Sequence, residues 1–563
     1  MSAYVKAIIN QESREPSIRL EDVVSQELPR DPRKVIDTQE KDGYCPSKHY
    51  ARVKLTFPID WSMNPFSDAH WAFQLNAMRP AVPYLFAHAK HPSIQYLTRA
   101  VDYFLDWQRF NITDGRPNKY KWYNMAVGQR AARLAYTLSQ ACKHSHSIGL
   151  ARIEGLTQLA LDHIDELMQP DRVSRGNHGL FQMHGLMALG RVLREYHEGR
   201  DAMEFARSTL DRLALLQFSD EGVHLEHSPA YHFFATRVLT TIYRTGWYDN
   251  DAHFNRHRDL IQAAAAWLVD PLGSVVAIGD SHCQKKDVPP PDGEPALFGP
   301  SPWPNAVVKH WSKTGYSIIR SSPDAPARDS YMLFFTGAHH SSVHKHSDDL
   351  HLNWFDRGCH ILVDSGAYCY KRDRMRQYVL STRAHNTIEC NGTSSPRSKD
   401  YCYGSSLLAP RYHTWGAELS GRVAHPTLGF VHYRRVFFAP GRFLAVVDTV
   451  ESRQEAEYVQ WWHFDPSLSL SRDASGFIVR DSCGSPMVWV HTLSPIESCA
   501  IAYGEIHPRL QGWVCTSYKT MMPAYTLGIQ EKGRHVRFTT IFCLDQAEMK
   551  NAEILVKRVG EAQ

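Results

Sequence analysis

No stretch of the sequence approaches the ~20 consecutive apolar residues that a membrane-spanning helix requires. The opening MSAYVKAIINQESREPSIRLEDVV likewise lacks an apolar run followed by a small-residue cleavage site. These absences create the expectation of a soluble cytoplasmic protein with no membrane partner. A periplasmic or secreted location is the alternative if further residues precede the Met. Charge of one sign is also missing: 63 Lys and Arg against 59 Asp and Glu leave a net charge of +4 over 563 residues. No global basic field argues for nucleic acid, although local clusters can still serve an anionic ligand. The 11 cysteines contain no CxxC pair and no regular framework, which favours free thiols in a reducing compartment. No fixed-period repeat is found, which weighs against a solenoid.

What is present reads as an ordinary globular chain, 43% hydrophobic and 22% charged, long enough for two to four domains. Aromatic residues make up 11% of it, with 14 Trp and 26 Tyr, a supply that suits stacking against sugar rings. The 31 histidines are notable because the imidazole titrates near neutrality.

Residues 1–45 are polar and Pro-interrupted and are expected to be an N-terminal extension on the surface. From about residue 65 to 270, segments such as DAHWAFQLNAMRPAVPYLFAHA, WYNMAVGQRAARLAYTLSQAC and AYHFFATRVLTTIYRTGWY carry apolar residues at three- and four-residue spacing. About eight helices with short polar loops predict stacked antiparallel hairpins, the pattern of an (α/α) incomplete toroid, in a domain spanning 46–300. The stretch DVPPPDGEPALFGPSPWP (287–304) reads as a linker. Beyond it the period changes to short β-branched and aromatic runs, among them GYSIIRS, YMLFFTG, HILVDSG, RFLAVVDTV and YVQWWHF. These predict a central antiparallel β-sandwich over 301–475 and a C-terminal β domain over 476–563. The expected class is therefore α+β multidomain, helices first and sheets after.

Three stretches carry candidate chemistry. In VHKHSDD, His344 and His346 would share one face of a strand, because side chains alternate. His346, with Asp364 of ILVDSG and His385 of STRAHNT, makes a His/Asp/His set that suits Zn²⁺ with water as a fourth ligand. Hydrogen-bonded histidines at strand ends are the other reading. In RGNHGLFQMHG, Asn177 is a natural N-cap, or else Asn177 and His178 together bind a carboxylate at a helix N-terminus. In HLEHSPAYHFFATR, Ser228-Pro229 starts a helix and puts Tyr231 on its first turn, either as packing or with its hydroxyl at a cleft.

Taken in order, NHG, EHSPAYH, GDSH, HKHSDDLHLNWF, GCHILVDSGAYCY and STRAHNTIECNG resemble the heparinase II/III-like polysaccharide lyases over roughly residues 60–470. That resemblance implies a toroid followed by antiparallel sandwich domains, with the site in the cleft between them. It implies that Asn177 and His178 neutralise a substrate carboxylate, that Tyr231 and His344 are the catalytic tyrosine and histidine, and that His346, Asp364 and His385 hold a structural zinc. Arg133 matches a helix arginine that lines the cleft in relatives. Some relatives use a further tyrosine after DSG as general acid, a role for which Tyr368, Tyr370 and Tyr378 compete. Trp122, Tyr123, Glu226, Tyr370, Arg372, Arg374 and Arg383 are candidates for gripping sugar faces and acidic groups, with Trp354 beside them.

The reaction implied is β-elimination on a uronic-acid polysaccharide or oligosaccharide: a base takes the C5 proton and the C4 oxygen leaves. No organic cofactor is expected, and a homodimer is left open. The rival readings are a glycoside hydrolase pairing Glu226 with Asp348 or Asp349, a metal-dependent hydrolase, and a non-catalytic acidic-polysaccharide-binding or biosynthetic accessory protein.

Overall fold

The computed structural model describes residues 2–15, 17–23, 31–47, 49–248, 252–291, 294–297, 305–473 and 476–561. It divides into two units, one of residues 1–217 with 237–255 and one of residues 218–236 with 256–563.

In the first unit the antiparallel helices form the (α/α) toroid half of the expected fold. Its helix Asn177–Val192 packs on both Asn124–Lys143 and His197–Gln217. The first of these crossings is close because both helices present glycine: a Cβ on Gly185 would lie 2.2 Å from the Gly128 carbonyl oxygen. What periodicity reads as one helix over residues 68–89 is two. The first, Ala69–Asn76, ends before Met78 at φ 62°, and a 3₁₀ turn at Arg79–Ala81 leads into Val82–Lys90. Pro80 and Pro83 lack the N–H groups that a continuous helix would need.

The expected surface extension is instead part of the helical packing. Helix Ser2–Arg14 buries Val5 and Ile8. Its Glu12 is fully buried, accepting hydrogen bonds from Ser17 N at 2.9 Å and from Ser139 Oγ. An apolar stripe one helix long lies inside that polar composition, and the stripe decided where the segment went.

The second unit is a sandwich. One antiparallel sheet orders Glu294–Leu297, Asn305–Trp311, Tyr316–Ser321, Met332–Thr336, Leu352–Asp356 and Cys359–Leu362. The other, ten-stranded, is built on Gly416–His425, Phe430–Ala439, Phe443–His463 and Tyr525–Cys543. Ile319, Leu333, Phe335 and Trp354 of the first sheet meet Val436, Phe438, Leu444, Val446 and Phe542 of the second in one core. The opposite face of the first sheet, with Ile318, Met332 and Phe334, is covered by Ala264, Trp267 and Leu268. Burial on both faces explains why GYSIIRS and YMLFFTG are continuous apolar runs rather than alternating ones.

Three expectations change here. Residues 294–297 of the supposed linker are an edge strand paired with Asn305–Trp311, while 292–293 and 298–304 lie outside the described residues. RFLAVVDTV and YVQWWHF belong to one bent strand, Phe443–His463, whose register shifts between Glu451 and Ala456. No sheet boundary falls at 475/476, since Tyr525–Cys543 pairs along that bent strand, and the chain ends in helix Met549–Glu561, with Ala552 and Val556 on the sheet.

A buried ion pair ties the large sheet to the loops above it. Arg434 and Asp448, both fully buried, meet through two bonds of 2.7 Å. His432 and Gln460 also donate to Asp448, each at 2.7 Å, and Arg434 donates to the carbonyls of Leu350 and Asn386. Burial alone would raise the Asp448 carboxyl, but Arg434 and His432 hold it well below the usual range. Asp448→Ala leaves the guanidinium uncompensated and should cost ~3–5 kcal/mol in denaturant unfolding. Replacing the pair together by Met and Leu should cost far less; equal losses would show that the charge is not what matters.

Candidate active site and metal centre

The site in the second unit starts from a turn. Gly279, at φ 53°, has room for no side chain: a Cβ would lie 2.6 Å from the carbonyl oxygens of both His227 and His344. Asp280 N donates to the His344 carbonyl at 3.2 Å. Ser228 Oγ donates to the Asp280 carbonyl at 3.0 Å, accepts from Tyr231 N at 3.3 Å as the cap of helix Pro229–Tyr243, and touches Ser281 Oγ at 2.8 Å. The helix start, the GDSH turn and the histidine loop are thereby stitched into one piece. His227 fastens the loop from its other side, with Nδ1 3.2 Å from the Val343 carbonyl and Nε2 accepting from His340 N at 2.7 Å.

The expected strand through VHKHSDD is absent. Residues 340–351 form a loop, and His344 sits in the left-handed region at φ 55°. Backbone in that region is strained for a residue with a Cβ and persists only where surrounding bonds over-determine it. The imidazole of His344 stacks on the phenol ring of Tyr231, with centroids 3.5 Å apart and planes 20° apart. Tyr231 Oη is 2.5 Å from Tyr370 Oη. Of the three competing tyrosines, Tyr370 therefore joins the site. The Tyr378 hydroxyl lies 3.4 Å from Trp513 N, and Tyr368 packs against the same cluster.

Asp280 organises the side chains. Its carboxylate takes His344 Nδ1 and His346 Nε2, each at 3.0 Å, and both terminal nitrogens of Arg376. Burial would raise this carboxyl, but the bonds from His344, His346 and Arg376 hold it far below the usual range. An ionised Asp280 accepts from His344 Nδ1–H and leaves Nε2 with its lone pair free, 3.4 Å from Glu226 Oε2. Burial also raises Glu226. It raises Tyr231 as well, where the Asp280 and Glu226 carboxylates add to the effect while Tyr370 and Arg376 oppose it, so the phenol keeps its proton at neutral pH.

Beside this cluster, His346, Asp364 and His385 bring ligating atoms within 4.8 Å of one another, all buried. His346 Nδ1 and His385 Nε2 have no hydrogen-bond partner among the described residues. Two orphaned ring nitrogens and a carboxylate are a donor set that fits a divalent metal. Asp364 accepts from His385 Nδ1 at 2.7 Å and from Gly366 N at 2.7 Å. His351, 3.4 Å from Asp364, is taken up by Asn353 and by Asn386 N instead.

The remaining candidates are placed as follows. Arg383 pairs with Glu389 at 3.2 Å and lies over Trp461, so it serves the sheet. Arg374 donates to the Ile506 carbonyl at 3.1 Å, and Trp354 is sandwich core. Asp348 and Asp349 are buried on Lys345, so neither is free to partner Glu226 in a hydrolase pair. In the first unit, Gly176 rather than Asn177 occupies the N-cap position, and no side chain caps that helix. Asn177 is its first residue, with Oδ1 buried and unpartnered among the described residues. His178 lies 6.5 Å from the exposed ring of Tyr123, and burial pushes its pKa down. Trp122 packs edge-on against Trp107 and His163. Arg133 lies inside the helices, bonded to Gln129 and the Ala77 carbonyl and pushed down to about 9 by burial.

Asp280 and Arg376 are the residues that sequence reasoning passed over. GDSH carried the first in plain view, but a motif assigns no partner. Arg376 had no signal beyond the helix that Asp373 caps.

Comparison with known proteins bears on the family and the fold. The family model "Heparinase II/III N-terminus" matches residues 4–256 and "Heparinase II/III-like, C-terminal" matches residues 304–520. The chain belongs to the heparinase II/III family of polysaccharide lyases. No curated protein matches it in sequence. Among solved structures, a heparinase III superposes with a TM-score of 0.73 at 14% identity, covering 97% of this chain and 90% of the other. Heparan sulfate lyase HepC from Pedobacter heparinus superposes with a TM-score of 0.69 at 17% identity, covering 96% and 88%.

The donor set predicts a metal. Elemental analysis of the loaded chain should show about one divalent ion, and Asp364→Ala should abolish it. A chelator should lower the melting temperature of the parent only, since ligand at ~100 times its Kd is worth ~2.7 kcal/mol. Equal metal content in parent and variant would remove the assignment.

Proposed function

We propose that the chain cleaves a uronate-containing polysaccharide or oligosaccharide by β-elimination, with Tyr231 and His344 moving the protons. The observation that carries this is the stacked pair itself: a protonated phenol against an imidazole whose Nδ1 is tied to Asp280, which leaves Nε2 as the acceptor, 3.4 Å from Glu226 Oε2. His344 Nε2 accepts the C5 proton, the C4–O bond breaks as C4=C5 forms, and the Tyr231 hydroxyl gives its proton to the departing oxygen. Tyr370, bonded to that hydroxyl, can return a proton to it for the next cycle. Base and acid so arranged typically contribute ~10²–10⁴-fold.

Removing a proton beside a carboxylate puts a second negative charge on that group. The proposal assigns its stabilisation to Asn177 and His178. Both are polar groups with unspent capacity, one carrying a buried oxygen without a partner and the other an imidazole kept neutral by burial. Zinc is the metal proposed for His346, Asp364 and His385. When bound there it would supply a fixed charge that holds the His344 loop, leaving proton transfer to the side chains. Heparan sulfate heads the substrates to test, because two of the similar structures carry the names heparinase III and heparan sulfate lyase.

Elimination leaves an unsaturated uronate that absorbs in the near ultraviolet, whereas hydrolysis and simple binding leave none. The parent chain should generate this absorbance from at least one uronate glycan in a panel. Tyr231→Phe should lose ~10²–10⁴ of turnover and Asn177→Ala ~10²–10³, with melting temperatures unchanged. Chain scission without absorbance would identify a hydrolase and end the proposal.

A further inference from the structure

Beyond the catalytic cluster, the second unit holds an open bowl of about 550 Å³ whose wall combines serines, Gln377 and Arg397 with Leu380 and Pro396. The histidine loop supplies Ser342. The outer side of helix Arg374–Leu380 supplies Gln377 with Ser381 just beyond it, and the segment after Cys390 supplies Ser394 and Arg397. Ser342 and Gln377 are exposed, and their side chains form no hydrogen bond within the described residues. Ser394 Oγ accepts from Thr382 N at 3.1 Å and keeps its own proton to donate. Hydroxyls interleaved with Leu380 and Pro396 suit a ring that carries several hydroxyls and also presents an apolar face.

Among the described residues, Arg397 is the only charged group lining the bowl. Its side chain makes one hydrogen bond, Nη1 to the Lys345 carbonyl at 3.3 Å, and has no carboxylate partner among the described residues. Each nearby acid is already committed, Asp280 to Arg376 and Asp348 to Lys345. A half-buried guanidinium with donors to spare is matched by a planar or tetrahedral oxyanion, which it can hold with two parallel bonds. The contact to Lys345 ties Arg397 to the backbone of the loop that carries His344 and His346. Ser342, two residues before His344, lines the bowl from the same loop.

We propose that this bowl is a subsite for the sugar unit adjacent to the cleaved bond, with Arg397 holding an anionic substituent of that unit, sulfate or carboxylate, and the serines and Gln377 meeting its hydroxyls. This rests on the lyase reading for its orientation, though not for the existence of a binding site. It makes Arg397 a determinant of which acidic glycans are accepted, separate from the groups that move protons.

The test measures affinity in Tyr231→Phe chain, so that the glycan survives, with and without Arg397→Gln. Heparan sulfate and the same polymer stripped of sulfate are the two probes, read by calorimetry. Arg397→Gln should weaken binding about 10- to 100-fold, the span of a charge-assisted hydrogen bond. Loss on the sulfated polymer alone identifies sulfate as the group held; loss on both identifies the carboxylate. Gln377→Glu, at an exposed position, adds a repelling charge to the same bowl and should weaken binding too, which guards against a misfolded arginine variant. Unchanged affinity in both variants, or no binding of either polymer by the parent, overturns the subsite. Turnover by the Tyr231-containing chain separates the two ideas: affinity that falls with Arg397→Gln while no unsaturated uronate is ever formed keeps the subsite and discards the lyase. Product formation with an unmoved KM discards the subsite alone.

Discussion

The Asp280 carboxylate receives His344, His346 and Arg376 at once, from two separated parts of the chain. A buried carboxylate is costly unless its lone pairs are filled, and once filled it is held more firmly than any of its partners would be alone. That single acceptor fixes the tautomer of the proposed base and, on its other oxygen, the tautomer that leaves His346 Nδ1 open towards the metal centre. The proposed proton transfer and the proposed metal site thus share one electrostatic anchor. The glycine beneath it, the two serines beside it and the left-handed His344 above it are the backbone arrangements by which that anchor is brought into place.

The density of ionisable residues between His339 and Asp364 serves two purposes. One set, His344, His346 and Asp364, belongs to the proposed catalytic pair and metal site. The other, Lys345 with Asp348 and Asp349, is a buried internal salt cluster, with the Tyr403 hydroxyl on Asp349 at 2.6 Å. Arg434 plays a similar part from the sheet below, reaching the carbonyls of Leu350 and Asn386 that flank the loop and His385. Buried ion pairs contribute little net stability compared with apolar replacements, but they punish any arrangement that separates them. For a loop that must keep a strained histidine in place, that penalty is the useful property.

Much was legible beforehand because it depends on local pattern. The helix-to-strand change of period near residue 300, the sandwich and the His346/Asp364/His385 set follow from spacing, and the structure holds all three. Errors arose where packing overruled pattern. Residues 1–45 look polar in composition, yet one helical stripe, Val5 and Ile8, docks. Arg133 and Arg383 look like free cations, yet each finds partners only in three dimensions. The stretch VHKHSDD alternates like a strand, yet its histidine turns left-handed because Asp280 and His227 hold it there.

The sequence by itself determined which chemical groups the protein owns and which segments are helix or strand, because side-chain identity and hydrophobic period are properties of neighbouring residues. It also singled out the residue types of an elimination reaction. Only the tertiary structure decided which acid serves which base, which of Tyr368, Tyr370 and Tyr378 meets Tyr231, and that Arg397 has no carboxylate partner among the described residues. Those are distances between residues far apart in the chain, and no local energy term sets them; they emerge when burial forces every charge to find a partner.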